Sequence, residues 1–263
     1  GASSLRPRRG GRVGGSGHHG LPPGWTAGLL LLLPASILPP SSRVSTGRRP
    51  PGGAPRLVVR CLLVSQQPEQ SQDLIVHRDG AVVEVTLNRP ERRNAFTRAM
   101  YAELRELCAQ LQGDAGVRAL VLRGAGGKAF AAGNEISDFV DTDAVGYENW
   151  IRELLEALFA LPQVTIAAVD GVCVGGGLAV ATHCDLRIAT PGSRFGYPIA
   201  RTLGNALSAS VVYRCAAVFG ESLTREMLLT SRLVDAERAY GVGALLAVTD
   251  DLDAELATVL DGL

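Results

Sequence analysis

Ala168-Val-Asp-Gly-Val-Cys-Val-Gly-Gly-Gly-Leu-Ala179 is the stretch on which the reading of this chain turns. It leaves the β-branched apolar run 164–169, breaks at Asp170-Gly171, and passes through three glycines into an apolar helix predicted to reach about His183. A second transition, Lys128-Ala-Phe-Ala-Ala-Gly-Asn-Glu-Ile136, follows the buried strand predicted at 117–123 and lies across the end of a glycine-rich loop, 124–133. Both place small residues between a strand and a helix start. Small residues admit a ligand close to the backbone, and the free N–H groups of a helix N-terminus attract negative charge. Two such groups converging on one oxygen would make an oxyanion hole. Each transition could equally be a tight turn between strand and helix.

Further strands are expected at 74–77 and 81–88, with Arg78-Asp79-Gly80 as a hairpin signal between them, and at 186–189. Thr97 can cap a helix running to about Gln112, with Met100, Leu104, Leu107, Cys108 and Leu111 on one face. An amphipathic helix is predicted over 147–161, carried by Ile151, Leu154, Leu155 and Leu158 and stopped by Pro162. Residues 205–219, 223–229 and 236–240 also read as helical, and 251–263 as an acidic helix. Strands alternating with helices give an α/β fold.

The 263 residues carry 26 Lys and Arg against 26 Asp and Glu, but the charges are segregated. Nine Arg and no acid occur in residues 1–68, so this tail is +9; residues 69–263 hold 17 basic and 26 acidic residues, or −9. We read 69–263 as one domain and 1–68 as a tail outside it. The tail's Arg-rich, acid-free composition is transit-peptide-like, and Ala27 to Leu33 is like a secretory apolar region too short to span a membrane. Its Pro and Gly content also suits disorder. Val64-Ser-Gln-Gln-Pro68 reads as a bacterial N-terminus at an alternative start codon, which would make 1–63 non-native. Lys128 is the only Lys, a bias expected of a GC-rich genome, and a bacterial cytoplasm is the expected location, with the mitochondrial matrix as the alternative.

An acidic domain argues against nucleic acid as a partner, and no segment is long enough to imply a membrane span. Five Cys without CxxC pairs suit buried thiols, and no Cys/His spacing suggests a metal. Gly124-Ala-Gly-Gly-Lys128 is not a phosphate loop, because Leu122 stands where its first Gly is required and no Ser or Thr follows the Lys. There is no GxSxG nucleophile. His183, on an apolar helix, is expected to be a satisfied core residue.

Taken together, several stretches closely resemble the crotonase (enoyl-CoA hydratase/isomerase) superfamily. In family order they are Asn88-Arg-Pro-Glu-Arg-Arg-Asn-Ala95, Phe130-Ala-Ala-Gly-Asn-Glu-Ile136, Ala167-Ala-Val-Asp-Gly171 after Pro162, Gly175-Gly-Gly with Cys184-Asp185, Phe195-Gly-Tyr-Pro198, and Leu229-Thr-Ser-Arg-Leu-Val-Asp-Ala236. The resemblance covers roughly residues 73–250. It implies a spiral of ββα units, assembled as a homotrimer or as a hexamer formed from two trimers. It also implies an oxyanion hole formed by the backbone N–H groups of Asn134 and Gly176, gripping the carbonyl of an acyl-CoA thioester and stabilising its enolate. Arg92, Arg93, Ala95, Ala132, Asn134, Glu135, Ile136, Ser137 and Gly176 would line the coenzyme A and acyl path. Coenzyme A would enter as part of the substrate, with no separate cofactor.

Two departures bear on the reaction. Hydratases of this family carry one Glu two residues after the Gly-Gly-Gly run and another just after the Pro of Phe-Gly-x-Pro. Here these positions hold Ala179 and Ile199, or Ala200 with the gap placed differently. Water addition needs such groups to move protons, and neither Ala nor Ile can. Glu135, Asp138, Asp141, Asp143, Arg201 and Asn205 are the candidate substitutes. The family also continues for further C-terminal helices, so the helical part is expected to be truncated at Leu263. Three functions are compatible: an acyl-CoA-processing enzyme of hydratase/isomerase type, a non-catalytic acyl-CoA-binding protein, and an acyl-CoA thioester hydrolase.

Overall fold

The computed structural model describes residues 72–135, 144–202 and 207–263. Strands β1 (Leu74–Asp79) and β2 (Val82–Leu87) form an antiparallel hairpin, registered from Leu74 opposite Leu87 to Asp79 opposite Val82. Its loop is Gly80-Ala81, starting two residues later and one residue shorter than the turn signal suggests. Gly80 supplies the positive φ, 55°, that a two-residue hairpin loop requires.

The strands that follow come in pairs: β3 (Ala119–Gly124) and β4 (Ala129–Ala131), β5 (Val164–Val169) and β6 (Val172–Val174), β7 (Leu186–Ala189) and β8 (Arg194–Gly196), then β9 (Val234–Asp235) and β10 (Ala247–Val248). Each pair contributes one strand to each of two sheets. The larger has the order β1-β2-β3-β5-β7-β10, and the smaller β4-β6-β8-β9. Neighbours are parallel except in the opening hairpin and between β8 and β9. Helices α1 (Arg98–Leu111), α2 (Ala144–Phe159), α3 (Gly176–His183), α4 (Ile199–Thr202) and α5 (Ala209–Thr230) return the chain from one pair to the next. Two more, α6 (Ala236–Gly241) and α7 (Leu252–Asp261), lie at the C-terminal end. This is the expected ββα spiral. The smaller sheet is not foreseen from the sequence, because strands of two or three residues are too short to show a period.

Strands β3 and β5, in the middle of the larger sheet, are apolar on both faces, as parallel strands covered on both sides must be. Leu120 and Leu122 of β3, and Ala167 and Val169 of β5, face the main core with α1, α2 and α3. Val121, Ile166, Ala168 and Ile188 face the other way, where Leu256 of α7 covers them. The acidic C-terminal stretch is therefore an amphipathic lid on the back of the sheet, tied to β3 by an ion pair between Asp253 and Arg123. Helix α5 joins the two helices expected at 205–219 and 223–229; they meet at Gly220 (φ 76°, ψ 159°), which breaks the helical path.

Polar residues in the family-like motifs prove to be internal struts. Asn94 is fully buried in a left-handed conformation (φ 57°). Its Oδ1 accepts from the Arg89 amide at 2.9 Å, and its Nδ2 donates to the carbonyls of Ala125 at 2.9 Å and Ala129 at 2.7 Å. Asp185 Oδ2 accepts from both the amide and the hydroxyl of Thr165, each at 2.8 Å, fixing β7 beside β5. The C-terminal end of α3 is a cationic cap. Buried Arg187 donates to the carbonyls of Ala181, Cys184, Asp185 and Ala244, and Arg214 donates to that of Thr182. Cations there complement the helix dipole. His183 is buried as expected, with Nδ1 2.7 Å from the Ala179 carbonyl oxygen.

Replacing Asn94 with Ala removes three hydrogen bonds and leaves a β-carbon-bearing residue at positive φ without Asn's local compensation. The expected destabilisation is about 4 kcal/mol, read from the denaturant midpoint; Asn94→Gly, which relieves φ alone, should lose less. Burial, opposed by the hydrogen bond to Ala179 and reinforced by Arg214, holds the His183 pKa below its ordinary value. A group with a depressed histidine pKa contributes stability that is full above its unfolded pKa, about 6.5, and is lost as pH falls from there toward the folded pKa. His183→Gln should flatten the decline in stability below about pH 6.5, measured by unfolding at a series of pH values.

Candidate functional site

The site forms where the ends of β4 and β6 meet the start of α3. Each glycine of the triplet has a different task there. Gly175, the residue before α3, has φ 55° and ψ −124°, a conformation closed to other residues. A β-carbon on Gly177 would overlap the Ala131 carbonyl oxygen and lie 2.7 Å from the Ala131 Cβ, so the helix start is pressed onto the end of β4. A β-carbon on Gly176 would overlap Asn134 Oδ1 and stand 2.6 Å from the Tyr101 hydroxyl. The two residues singled out in the sequence, Asn134 and Gly176, are thus brought into contact.

Their amide groups are left over by the local hydrogen bonding. Phe96 pairs with Asn134 in an isolated parallel bridge: the Phe96 amide donates to Gly133 O at 2.9 Å, and the Glu135 amide donates to Phe96 O at 2.8 Å. Backbone N–H groups alternate in direction along an extended segment, so the Asn134 N–H lies off this bridge. It donates to no group among the described residues. The Gly176 N–H belongs to the first turn of α3, where no carbonyl precedes it in the helix. It too has no partner among the described residues.

The other sequence candidates divide into three groups. Arg92 and Arg93 are exposed, while Ala95 and Ala132 are half-buried; the Ala132 amide donates to Arg93 O at 2.9 Å, so this segment borders the loop after β4. Glu135, in contrast, is engaged: Arg89 reaches its Oε2 at 3.2 Å, while also donating to Ala95 O at 2.7 Å and facing Asp73 at 3.4 Å. Ile136, Ser137, Asp138, Asp141, Asp143 and Asn205 lie outside the described residues, and Arg201 is exposed on α4.

The resemblance would place the family's two acids at Ala179 and at Ile199 or Ala200. Ala179, in the second turn of α3, is buried in the main apolar cluster, and half-buried Ile199 packs against the same cluster. His183 lies seven residues beyond Gly176, roughly 10 Å further along the helix, with its Nδ1 against the Ala179 carbonyl. Burial pushes the Cys108 and Cys184 thiols up to about 12 and that of Cys215 up to about 11, so none offers a thiolate at neutral pH.

Tyr101 was not singled out from the sequence. It is 1% exposed, its ring is stacked on Phe96 with centroids 4.8 Å apart, and its hydroxyl donates to Asn134 Oδ1 at 2.7 Å. The available signal was a tyrosine on the buried face of α1, among Met100, Leu104, Cys108 and Leu111, since a buried phenol needs a partner.

The sequence profile of the enoyl-CoA hydratase/isomerase family matches residues 77–259. A short-chain-enoyl-CoA hydratase of Clostridium acetobutylicum is 30% identical over 181 residues, covering 68% of this chain and 69% of that protein. The mitochondrial enoyl-CoA hydratase domain-containing protein 2 of Mus musculus is 32% identical over 182 residues, covering 68% of this chain and 61% of that protein. Among solved structures, an enoyl-CoA hydratase/carnithine racemase from Magnetospirillum magneticum superimposes with a TM-score of 0.69 at 34% identity, covering 73% of this chain and 74% of that one. The enoyl-CoA hydratase from Bacillus anthracis gives a TM-score of 0.68 at 28% identity, with coverages of 73% and 76%. With its spiral of paired strands and its glycine-triplet helix, this chain belongs to the enoyl-CoA hydratase/isomerase family of the crotonase superfamily.

Proposed function

We propose that the protein binds an acyl-CoA thioester and polarises its carbonyl between the main-chain N–H groups of Asn134 and Gly176. The observation that carries this reading is the juxtaposition of those two residues, each with an N–H that has no partner among the described residues. As negative charge develops on the thioester oxygen, each fixed donor lowers the barrier by ~3–4 kcal/mol. The N-terminus of α3 adds its dipole, and the arginines at the far end of that helix offset the opposite pole. Arg92, Arg93, Ala95, Ala132 and Glu135 border the same loop, with Ile136 and Ser137 continuing it, along the proposed path of coenzyme A. The reaction as read takes coenzyme A only as part of the substrate. Assembly as a homotrimer or hexamer would cover exposed apolar side chains such as Tyr213 (77% exposed) and Leu229 (80% exposed).

Within that reading the chain is a hydratase/isomerase-type enzyme whose proton-transfer step has lost its usual carriers. The apolar packing of Ala179 and Ile199 favours a second reading, a non-catalytic acyl-CoA-binding protein. Hydrolysis of the thioester is the third, since the hole would also stabilise attack of water on the carbonyl. No helix of the described residues is long and apolar enough to cross a membrane, and relatives occur both in bacteria and among mitochondrial proteins.

Purified protein incubated with crotonyl-CoA and longer enoyl-CoAs separates the three, with enone absorbance and free thiol followed together. Loss of absorbance without thiol release is expected, at a rate about 10²–10⁴-fold below that of an enzyme holding both acids. Thiol release would establish hydrolysis instead, and binding with neither signal would establish the silent binder. Failure to bind any CoA ester would remove all three. Gly176→Pro, which deletes one donor, should abolish turnover, whereas Ala179→Ser should change it by less than about twofold, because a neutral hydroxyl is no substitute for a carboxylate.

A further inference from the structure

Asn134 has more hydrogen-bonding capacity than its place in the fold uses. Its carboxamide oxygen accepts from the Tyr101 hydroxyl at 2.7 Å, in the space that Gly176 leaves open by having no side chain. The amide nitrogen carries two N–H donors and bonds to no group among the described residues. Asn134 as a whole is half-buried, so the residue is not sealed from solvent. Three donors without a partner among the described residues therefore belong to two residues in contact: the main-chain N–H of Asn134, that of Gly176, and Asn134 Nδ2.

The carboxamide's orientation is fixed from three directions. The backbone bridge between Phe96 and Asn134 sets the loop, and the Phe96 ring is stacked on that of Tyr101 at an interplanar angle of 27°. The Tyr101 hydroxyl then takes the oxygen end of the carboxamide, which turns the nitrogen end away from Tyr101. A phenylalanine at 101 would fill the same buried space without a polar atom to satisfy, so the hydroxyl is matched to its partner. Such fixed orientation is what an electrostatic donor needs, because no reorganisation is then required as charge develops.

We propose that Asn134 Nδ2 is a third hydrogen-bond donor to the carbonyl oxygen of an acyl-CoA thioester, and that Tyr101 is the positioning residue that aims it. The inference rests on the two-donor reading above and extends it. A carboxamide N–H donates a hydrogen bond but transfers no proton at neutral pH. Asn134 therefore strengthens polarisation without restoring the missing acid or base. The carbonyl would then be held by an additional arm.

The test uses 4-dimethylaminocinnamoyl-CoA, a push-pull chromophore whose absorbance moves to longer wavelength as its carbonyl oxygen accepts hydrogen bonds. S-propyl-CoA, a thioether with no carbonyl, is the control ligand. The wild type should red-shift the bound chromophore. Asn134→Ala should retain only part of that shift and bind the chromophore about tenfold more weakly, with S-propyl-CoA affinity unchanged. Tyr101→Phe should fall between the two. Should Asn134→Ala fail to fold, Asn134→Thr provides the same comparison with the backbone donor intact. An undiminished shift in the folded Asn134 variant overturns the third donor while leaving the two-donor hole standing. Equal weakening for chromophore and thioether also overturns it, by showing a purely structural role. If wild type binds the chromophore without any shift, or does not bind it, the hole itself fails and the third donor with it.

Discussion

The contact between the first turn of α3 and the end of β4 constrains the rest of the site. Gly177 has no side chain because the Ala131 backbone already occupies the space, and this closeness puts Gly176 against Asn134. It can be held because α3 is anchored at its other end: Arg187 and Arg214 take up the terminal carbonyls of the helix from Ala181 to Asp185. A buried arginine bonded only to carbonyls is costly to desolvate, and burial holds its pKa below the ordinary value. Its placement makes sense where the negative pole of an almost wholly buried helix would otherwise be uncompensated. One helix eight residues long is thus fixed at both ends, by steric closeness at one and by charge at the other.

The ββα repeat explains why two loops meet there at all. Strands β4 and β6 are neighbours in the smaller sheet, with Ala129 opposite Val172 and Ala131 opposite Cys173. Their C-terminal ends must therefore emerge side by side, carrying Asn134 and Gly176 respectively. Asn94 reinforces the first loop from below through the carbonyls of Ala125 and Ala129. Arg89 clamps it from the side through Glu135. That ion pair is partly buried, with side-chain exposures of 14% and 21%, so Glu135 is engaged with Arg89 and is not a free acid.

The sequence revealed five of the six strands of the larger sheet and the apolar helices because their apolar residues recur over four positions or more. The strand at residues 164–169 and that at 186–189 fall where the pattern places them. It did not reveal β4, β6, β8, β9 or β10, whose two or three residues carry no periodic signal and are strands only through their partners. For the site, the glycine triplet and the Asn134 segment were legible as small residues at strand ends. Tyr101 was not, because its role depends on a residue 33 positions away. Nor could the sequence separate Glu135, bound to Arg89, from a solvated loop acid. Asn94 and Asp185 stood out as family-like motif residues, but only hydrogen bonding shows that they brace the fold and are not reagents.

Main-chain donors and side-chain proton carriers have different dependence on sequence, and this protein separates them. The N–H groups of Asn134 and Gly176 are supplied by the path of the backbone; they persist under any substitution that preserves the glycine packing and is not proline. The carboxylates of a hydratase are supplied by two side chains, and a single replacement at each position removes them without disturbing the helix that holds them. Ala179 lies in the apolar cluster and Ile199 packs against it, an environment in which an unpaired acid would be costly to bury. The domain's net charge of −9 shows that acids are abundant, and 26 of them are placed elsewhere. In the proposed reading, polarisation of a bound carbonyl would be a property of the fold, whereas proton transfer would depend on the side chains at individual positions.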